Sequence, residues 1–301
     1  MATTRYAPDR GLTARMLVTM FGLGLIYVVF IGVLVVALGR AWPFAIAIGG
    51  AAFLAQYYFS DKLALRTMRA RVVGPEQEPE LHGVVDRLCA LADMSKPRVA
   101  IAETDVPNAF ATGRSASSSV LCVTRGLVRR LDGPELEGVL SHELSHVAHR
   151  DVAVMTIASF LGVLAGVVAR FQLYTGGLGR DRRDQNTFVV FAVVTLVSVL
   201  VYVVSFLLIR VLSRYRELSA DRTGALLTGN PAALASALTK ITGEMGRIPT
   251  RDLRRAEPFN AFFFTPALSR GASITHLLST HPTLERRLEQ HGRLSRELGT
   301  G

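Results

Sequence analysis

Hydrophobic residues are concentrated in four long stretches of the chain, separated by segments in which polar and apolar positions alternate. The run at residues 17–38 contains no charged residue and, at about 1.5 Å per helical residue, is long enough to cross the core of a bilayer. Further apolar runs cover residues 41–59, 152–169 and 187–209, and the third of the four is the shortest. The pattern predicts four transmembrane helices.

Other interpretations of the four runs are less well supported by their length and position. A cleaved signal peptide would explain the first run, but that run is too long and a second one follows at once. Buried core helices would explain the third and fourth runs. The pair at 152–209 either crosses the membrane twice or forms a re-entrant hairpin, and both arrangements return the chain to the side on which it started.

Between the second and third runs the chain has the pattern of a soluble domain. Residues 78–93 have the apolar spacing of an amphipathic helix, and residues 97–102 alternate like a short strand. Residues 108–113 and 119–124 predict two more strands, joined by a polar turn into a hairpin. The fold class is therefore mainly α, with four transmembrane helices and a small β-hairpin or sheet.

Charge and cysteine content place this domain inside the cell. The chain is 50% hydrophobic with a formal net charge of +10, and its mean hydropathy is +0.32. Basic residues flank the first two runs on both sides, which predicts that both flanks lie in the cytoplasm. The basic segment within 173–187 opposes this topology, since it would face outward. Only Cys89 and Cys122 are present, so no disulfide framework is expected.

The strongest chemical motif lies just before the third run. His142, Glu143 and His146 form an H-E-x-x-H sequence within residues 134–151, which are predicted to be helical throughout. Histidines four positions apart share one face of a helix, so both can bind one metal ion. Zinc lowers the pKa of a bound water, and Glu143 can then take the proton as the water attacks a carbonyl.

Two histidines leave a catalytic zinc site one protein ligand short. Glu217 and Asp221, one helical turn apart after the fourth run, are the best candidates. One carboxylate would complete the ligand set, and the other would orient a ligand histidine. His149 is excluded as a ligand, because it lies about 10 Å along the helix from His142.

This ordered set of motifs resembles the HtpX-type integral-membrane zinc endopeptidases over most of the chain, from residue 17 to 287. The family motifs correspond here to H-E-x-x-H at 142–146, the strand at 108–113, E-x-x-x-D at 217–221 and His281-Pro282. Where the family often has His-Pro-Pro, this chain has Thr283 in the third position.

The resemblance implies a gluzincin-like protease domain that holds one zinc ion on His142, His146 and Glu217. It implies that Asp221 orients a ligand. It also implies that His281 or Arg287 stabilises the oxyanion, although the neighbouring Arg286 leaves that register open.

The strand made by Asn108, Ala109, Phe110 and Ala111 is expected to bind substrate as an additional strand. The expected domains are a cytoplasmic tail at 1–16, a transmembrane hairpin at 17–59, two protease segments at 60–151 and 210–301, and a second hairpin at 152–209.

We therefore expect a zinc endopeptidase of the cell membrane, multi-pass, with its site facing the cytoplasm. The resemblance implies a role in quality control, with misfolded or damaged membrane proteins as substrates; no nucleic-acid partner is expected. The alternative is a membrane-anchored scaffold that binds zinc structurally, which would need a fourth protein ligand. A transporter is less consistent with the sequence, because the four apolar runs contain no ionisable residue.

Overall fold

The computed structural model describes residues 10–113, 118–175, 185–245 and 281–299. Its chain order is α1 (Arg10–Leu38), a short 3₁₀ turn, α2 (Trp42–Thr67), β1 (Ala70–Val72), α3 (Pro79–Ala92), β2 (Arg98–Ala102), β3 (Ala109–Thr112), β4 (Val120–Thr124), α4 (Arg125–Arg130), α5 (Gly133–Ala148), α6 (Asp151–Thr175), α7 (Gln185–Thr228), α8 (Pro231–Met245) and α9 (Leu284–Leu298). Residues 1–9 of the predicted tail and the basic residues at 176–184 lie outside the described residues, and α1 begins within the predicted tail.

The chain divides into two compact units. One unit contains Phe59–Ala153 and Ser213–Gly301, together with Met1–Leu12; the other contains Thr13–Tyr58 and Val154–Leu212. The helices α6 and α7 each begin or end in the first unit and extend into the second. All the predicted site residues belong to the first unit.

The first unit is built around a four-stranded sheet in the order β1-β2-β4-β3, in which only β2 and β4 run parallel. The predicted hairpin is confirmed, since β3 pairs antiparallel with β4. Successive side chains of β4 face opposite sides of the sheet, so Leu121 and Val123 enter the main core while Val120 and Cys122 pack on the other face. Both faces are therefore buried.

Helix α5 packs against α3, α8 and β3, and its start is fixed by local hydrogen bonds. Asp132 caps the helix by accepting from the backbone N–H of Glu135 at 2.9 Å, and Glu135 accepts from the N–H of Asp132 at 3.1 Å. Glu135 also accepts from Ser236 at 2.6 Å and from Lys240 at 2.7 Å. The cap thus joins α5 to α8.

Replacing Glu135 by glutamine should destabilise the protein in a pH-dependent way. Burial opposes the charged form, but the hydrogen bonds from Lys240 and Ser236 lower the pKa of Glu135 below its usual value. A carboxyl with a lowered folded-state pKa stabilises the fold above its unfolded pKa and loses that effect as the pH falls through the folded value. We expect a loss of about 1 kcal/mol near pH 7 that shrinks below about pH 4.

The measurement is thermal unfolding of the detergent-solubilised protein at several pH values. Glu137→Gln on the same helix is the matched control, because Glu137 pairs with an Arg87 whose side chain is 57% exposed, and such pairs contribute little. Equal effects of both substitutions at every pH would contradict the prediction.

The second unit contains closely packed helices. Leu23, Tyr27 and Phe30 of α1 form a cluster with Ala158 and Ala165 of α6 and Val201 of α7. A Cβ at Gly162 would lie 3.0 Å from the Ser205 side chain, and one at Gly166 would lie 2.8 Å from the Tyr202 ring. Small residues four positions apart allow helices to approach closely, as they do within membranes.

The structure supports two of the four predicted transmembrane helices. Among the described residues, Thr13–Ala37 of α1 and Phe188–Thr228 of α7 are long and apolar enough to cross a membrane. Core helices of soluble proteins can be as long and apolar but are mostly buried, whereas only 17% and 22% of the most apolar stretches of α1 and α7 are buried. In α2, polar and small residues such as Gln56 and Gly49 dilute the apolar run, and the apolar part of α6 is shorter, at Val154–Arg170.

Candidate metal centre

The two motif histidines lie on one buried face of α5. His142 and His146 are 1% and 7% exposed, and their ring centroids are 4.9 Å apart. The i and i+4 spacing on a regular helix produces this arrangement. Two buried imidazoles side by side can therefore offer nitrogens to one metal ion.

Glu217 of α7 lies opposite both rings. Its Oε2 is 3.6 Å from Nε2 of His142, and its Oε1 is 3.5 Å from Nε2 of His146. One ligand atom from each of the three residues lies within 4.8 Å of the others. The structure therefore brings together the three predicted ligands, although the first and the last are 75 positions apart in the sequence.

The donor set and its spacing fit zinc. Zinc binds imidazole nitrogen at about 2.0–2.1 Å and carboxylate oxygen at about 2.0–2.2 Å, so two ligands of a tetrahedron lie about 3.4 Å apart. The two nitrogen-to-oxygen distances are close to that value. Among the described residues the cluster contains three ligands, which matches a catalytic site with an open position rather than a closed structural one.

A glycine allows α7 to approach α5 at this point. Ser141 Oγ donates to the Gly224 carbonyl at 3.0 Å, and a Cβ on Gly224 would lie 3.0 Å from the His142 backbone nitrogen. That contact is with backbone atoms, which cannot move aside as a flexible side chain would. Glycine at this position sets the distance between the helix that carries the histidines and the helix that carries Glu217.

Replacing Gly224 by alanine should weaken both folding and metal binding. The added methyl must push α7 away from α5, which is expected to cost about 1–3 kcal/mol and to displace Glu217 from the imidazoles. Thermal unfolding without metal and zinc titration measure the two effects. Gly83→Ala on α3 is the control, because a Cβ there meets nothing within 4 Å and should be neutral or stabilising. Unchanged zinc affinity in Gly224→Ala would contradict this prediction.

A buried ion pair, Asp221 with Arg287, contacts the Nδ1 side of His142. Nδ1 of His142 lies 2.9 Å from Oδ1 of Asp221, one turn after Glu217. Nε and one terminal nitrogen of Arg287 each donate to Asp221 at 2.6 Å. Arg287 is 1% exposed, whereas Arg286 is exposed, so Arg287 is the arginine that reaches the site.

The charge around His142 favours its protonated form when no metal is bound. Burial opposes protonation, but the carboxylates of Asp221 and Glu217 raise the pKa of His142 to about 9. A metal ion must therefore displace a proton from this ring. The environment is built to hold a positive charge at the position where the three ligand atoms meet.

His281 approaches the cluster from the segment before α9. Its Nδ1 lies 3.1 Å from Oε2 of Glu217, and its side chain is 10% exposed. Of the two predicted oxyanion residues, His281 therefore contacts a candidate ligand directly, while Arg287 contacts Asp221.

Glu143 is buried beside the histidines and bound to the edge of the sheet. The backbone N–H of Ala111 donates to its Oε2 at 3.1 Å. Burial raises the pKa of Glu143 above its usual value, against the lowering effect of the neighbouring histidines. A carboxylate with a raised pKa is a stronger base, which suits a group that must accept a proton near neutral pH.

The predicted substrate strand is β3, at one edge of the sheet. The Asn108 carbonyl accepts from the Thr124 backbone at 3.0 Å and the Asn108 N–H donates to Thr124 Oγ1 at 2.9 Å, so Asn108 is directed towards β4. The N–H and C=O groups of a strand alternate in direction, and those of Ala109 and Ala111 therefore face the outer edge. Phe110 packs its side chain in the smaller core cluster.

The prediction of one continuous helix over residues 134–151 is wrong. Helix α5 ends at Ala148, with His149 at its C-cap and Arg150 at a φ of 55°. His149 Nδ1 lies 2.8 Å from the Ser145 carbonyl, away from the ligand atoms. The left-handed residue changes the direction of the chain, and α6 begins at Asp151.

That break brings a residue to the site that the sequence analysis missed. Asp151 accepts from Nδ1 of His146 at 2.7 Å, and Nε of Arg216 lies 3.0 Å from the same carboxylate oxygen. Burial opposes ionisation of Asp151, but the Arg216 charge and the His146 hydrogen bond lower its pKa to about 2. In the sequence, Asp151 stands directly before the apolar run at 152–169, whereas Arg216 lies seven positions beyond the run at 187–209.

The comparisons with known proteins agree with this site. The chain matches peptidase family M48 over residues 75–293. It is 60% identical over 296 residues to Protease HtpX homolog 1 of Streptomyces coelicolor, covering 98% of this chain and 97% of that relative. It is 53% identical over 293 residues to Protease HtpX homolog of Moorella thermoacetica, covering 96% of each.

A solved structure shows the same fold. The crystal structure of S. mikatae Ste24p aligns with a TM-score of 0.54 at 16% identity, covering 93% of this chain, which spans 66% of that one. Taken with the sequence matches, the fold and the buried cluster define a membrane metalloprotease. The chain belongs to peptidase family M48, and the predicted resemblance to HtpX-type peptidases is confirmed.

Proposed function

We propose that His142, His146 and Glu217 hold one zinc ion and that Glu143 is the general base for peptide-bond hydrolysis. The observation that carries the proposal is the convergence of three buried ligand atoms within 4.8 Å, from α5 and α7. When bound, zinc lowers the pKa of water and polarises the substrate carbonyl. The remaining steps depend on the side chains of this chain.

Glu143 takes the proton of the attacking water and returns it to the leaving amine. The N–H of Ala111 fixes one oxygen of its carboxylate, which leaves the other free to accept the proton. The buried environment raises the pKa of Glu143, which makes its carboxylate a better proton acceptor. Glu143 thus cycles between carboxylate and carboxylic acid once for each bond cleaved.

His281 is the better placed of the two candidates for stabilising the oxyanion. It contacts Glu217 at 3.1 Å and so lies beside the proposed ligand atoms, where an imidazole N–H can donate to a developing oxyanion. Arg287 has two nitrogens on Asp221, and its charge keeps that carboxylate ionised behind His142. We assign Arg287 to the support of Asp221 and His142.

Substrate binds along the outer edge of β3 as an extra strand. The backbone groups of Ala109 and the carbonyl of Ala111 face that edge, while the Ala111 N–H is held by Glu143 on the neighbouring helix. Recognition through backbone groups requires an extended substrate and tolerates varied side chains. This mode suits unfolded or damaged membrane proteins, the substrates that the resemblance implies.

The apolar parts of α1 and α7 anchor the protein in the plasma membrane, with the site on the cytoplasmic side. Arg10 and Arg15 precede or begin the apolar part of α1, and Lys62 and Arg66 lie near the end of α2. Basic flanks of this kind remain in the cytoplasm. Because Glu217 lies 3.6 Å from His142, we infer that α6 and α7 together return the chain to the same side of the membrane.

The test uses the full-length protein purified in detergent. We expect one zinc per chain by elemental analysis and cleavage of an unfolded test protein that stops with a chelator and returns when zinc is added back. Stoichiometric zinc without any cleavage would favour the scaffold alternative. Chelator-resistant cleavage would overturn the proposal.

A further inference from the structure

We propose that Asp151 and Arg216 form a positioning pair that fixes the orientation of His146 as a metal ligand and ties it to the helix carrying Glu217. The inference rests on the proposed zinc site and adds two residues to it. Both residues lie on the Nδ1 side of His146: Asp151 is 2.7 Å from that nitrogen, and a terminal nitrogen of Arg216 is 3.5 Å from it.

The pair is buried and its distances are short. Asp151 is 2% exposed and Arg216 is 9% exposed. His146 Nδ1 and Arg216 Nε both approach the same atom, Oδ2 of Asp151, at 2.7 and 3.0 Å. A buried carboxylate needs such compensation, because an unpaired charge in a protein interior is strongly unfavourable.

The hydrogen bond to Asp151 selects the tautomer of His146. A neutral imidazole carries one proton, and the carboxylate can only accept, so the proton resides on Nδ1. The lone pair is then on Nε2, which is the nitrogen that lies 3.5 Å from Glu217 Oε1. Asp151 therefore directs the correct nitrogen towards the position of the metal.

Arg216 connects this arrangement to the third ligand. It directly precedes Glu217 on α7, while Asp151 is the first residue of α6. The ion pair between Asp151 and Arg216 thus joins the start of α6 to the part of α7 that carries Glu217. Displacing either residue should move His146 and the backbone of Glu217 relative to each other.

The same arrangement occurs on the other histidine. His142 contacts Asp221, which is held by Arg287, as His146 contacts Asp151, which is held by Arg216. Each candidate ligand histidine is backed by an aspartate and each aspartate by an arginine. Metal-binding histidines usually donate their second ring N–H to such a carboxylate, and both candidate ligand histidines have one here.

The experiment measures metal binding rather than activity. Parent, Asp151→Ala, Asp151→Asn and Arg216→Lys are prepared without metal, and their zinc dissociation constants are determined by competition with a chromogenic chelator. The absorption spectrum of bound Co²⁺ reports ligand geometry in the same proteins. Asp105→Ala is the matched control, since it removes an exposed aspartate that also pairs with an arginine, Arg130.

We expect Asp151→Ala to weaken zinc binding by about 10–100-fold and to change the Co²⁺ spectrum, the usual effect of removing a group that orients a ligand. Asp151→Asn keeps an acceptor oxygen of the same shape, so a smaller loss and a nearly parental spectrum are expected. Arg216→Lys should fall between them, and Asp105→Ala should bind as the parent does.

Two results would overturn the inference: Asp151→Ala and Asp151→Asn both binding zinc within about twofold of the parent, or Asp151→Ala losing affinity while its Co²⁺ spectrum stays that of the parent. If Asp151→Ala does not fold, Asp151→Asn alone decides, because it should still bind zinc measurably weaker than the parent. A parent protein that binds no zinc would instead refute the proposed function.

Discussion

Replacing Glu143 by glutamine is expected to lower peptide-bond hydrolysis by at least about 10³-fold while one zinc per chain remains bound. Glutamine has nearly the same shape and can still accept the Ala111 N–H that Glu143 accepts at 3.1 Å, so the helix and sheet edge should keep their positions. It cannot take a proton from water. The zinc ligands are untouched, and the loss should therefore lie in turnover rather than in metal content.

The measurement pairs elemental analysis with the cleavage rate of an unfolded test protein. Glu137→Gln, two turns earlier on the outer side of α5, provides the control for a glutamate lost from the same helix and should cleave at the parental rate. Substantial cleavage by Glu143→Gln would remove Glu143 from the role of base and leave the ligand assignment intact.

Replacing Glu217 by alanine is expected to remove the metal and all activity. Zinc sites with four ligands bind with about 10–16 kcal/mol, so the loss of one ligand should weaken binding at least about a hundredfold. The substitution also leaves His142 and His146 facing each other without the carboxylate that lies 3.6 and 3.5 Å from them. Two imidazoles alone should not retain zinc through purification.

The zinc content of Glu217→Ala after dialysis and its dissociation constant for zinc test this expectation. Glu80→Ala, which removes an exposed glutamate from the first turn of α3, is the control and should keep its zinc. If Glu217→Ala retains one zinc per chain with parental affinity, another residue supplies the third ligand.

Local patterns in the sequence predicted the parts of the site that lie on single elements. His142 and His146 are one helical turn apart, so a single helix places them together. Asp132, Pro134 and Glu135 predicted where that helix begins. The position of Glu217 could be predicted only indirectly, because it depends on the chain returning to the same side of the membrane as the histidines. The ligand roles themselves stay predictions until zinc is measured.

Tertiary contacts set the parts that the sequence did not predict. Asp151 looked like the end of a helix, since nothing in the local pattern shows that Arg150 adopts a left-handed conformation. The parallel pairing of β2 with β4 and the addition of β1 join segments whose separate patterns carry no information on register. The prediction of four transmembrane helices relied on composition. Helix α2 is apolar, but its mean hydropathy is lowered by residues such as Gln56, and it is not among the helices apolar enough to cross a membrane.

The buried ion pair between Asp221 and Arg287 also bears on the order in which the site can assemble during synthesis. All three proposed ligands have been synthesised by residue 217, yet the arginine that neutralises Asp221 follows it by 66 positions. Until α9 has been synthesised, the buried Asp221 carboxylate lacks the arginine that donates two hydrogen bonds to it, which disfavours its burial beside His142. We therefore expect a chain that lacks α9 to assemble the buried site poorly, even though it contains all three proposed ligands.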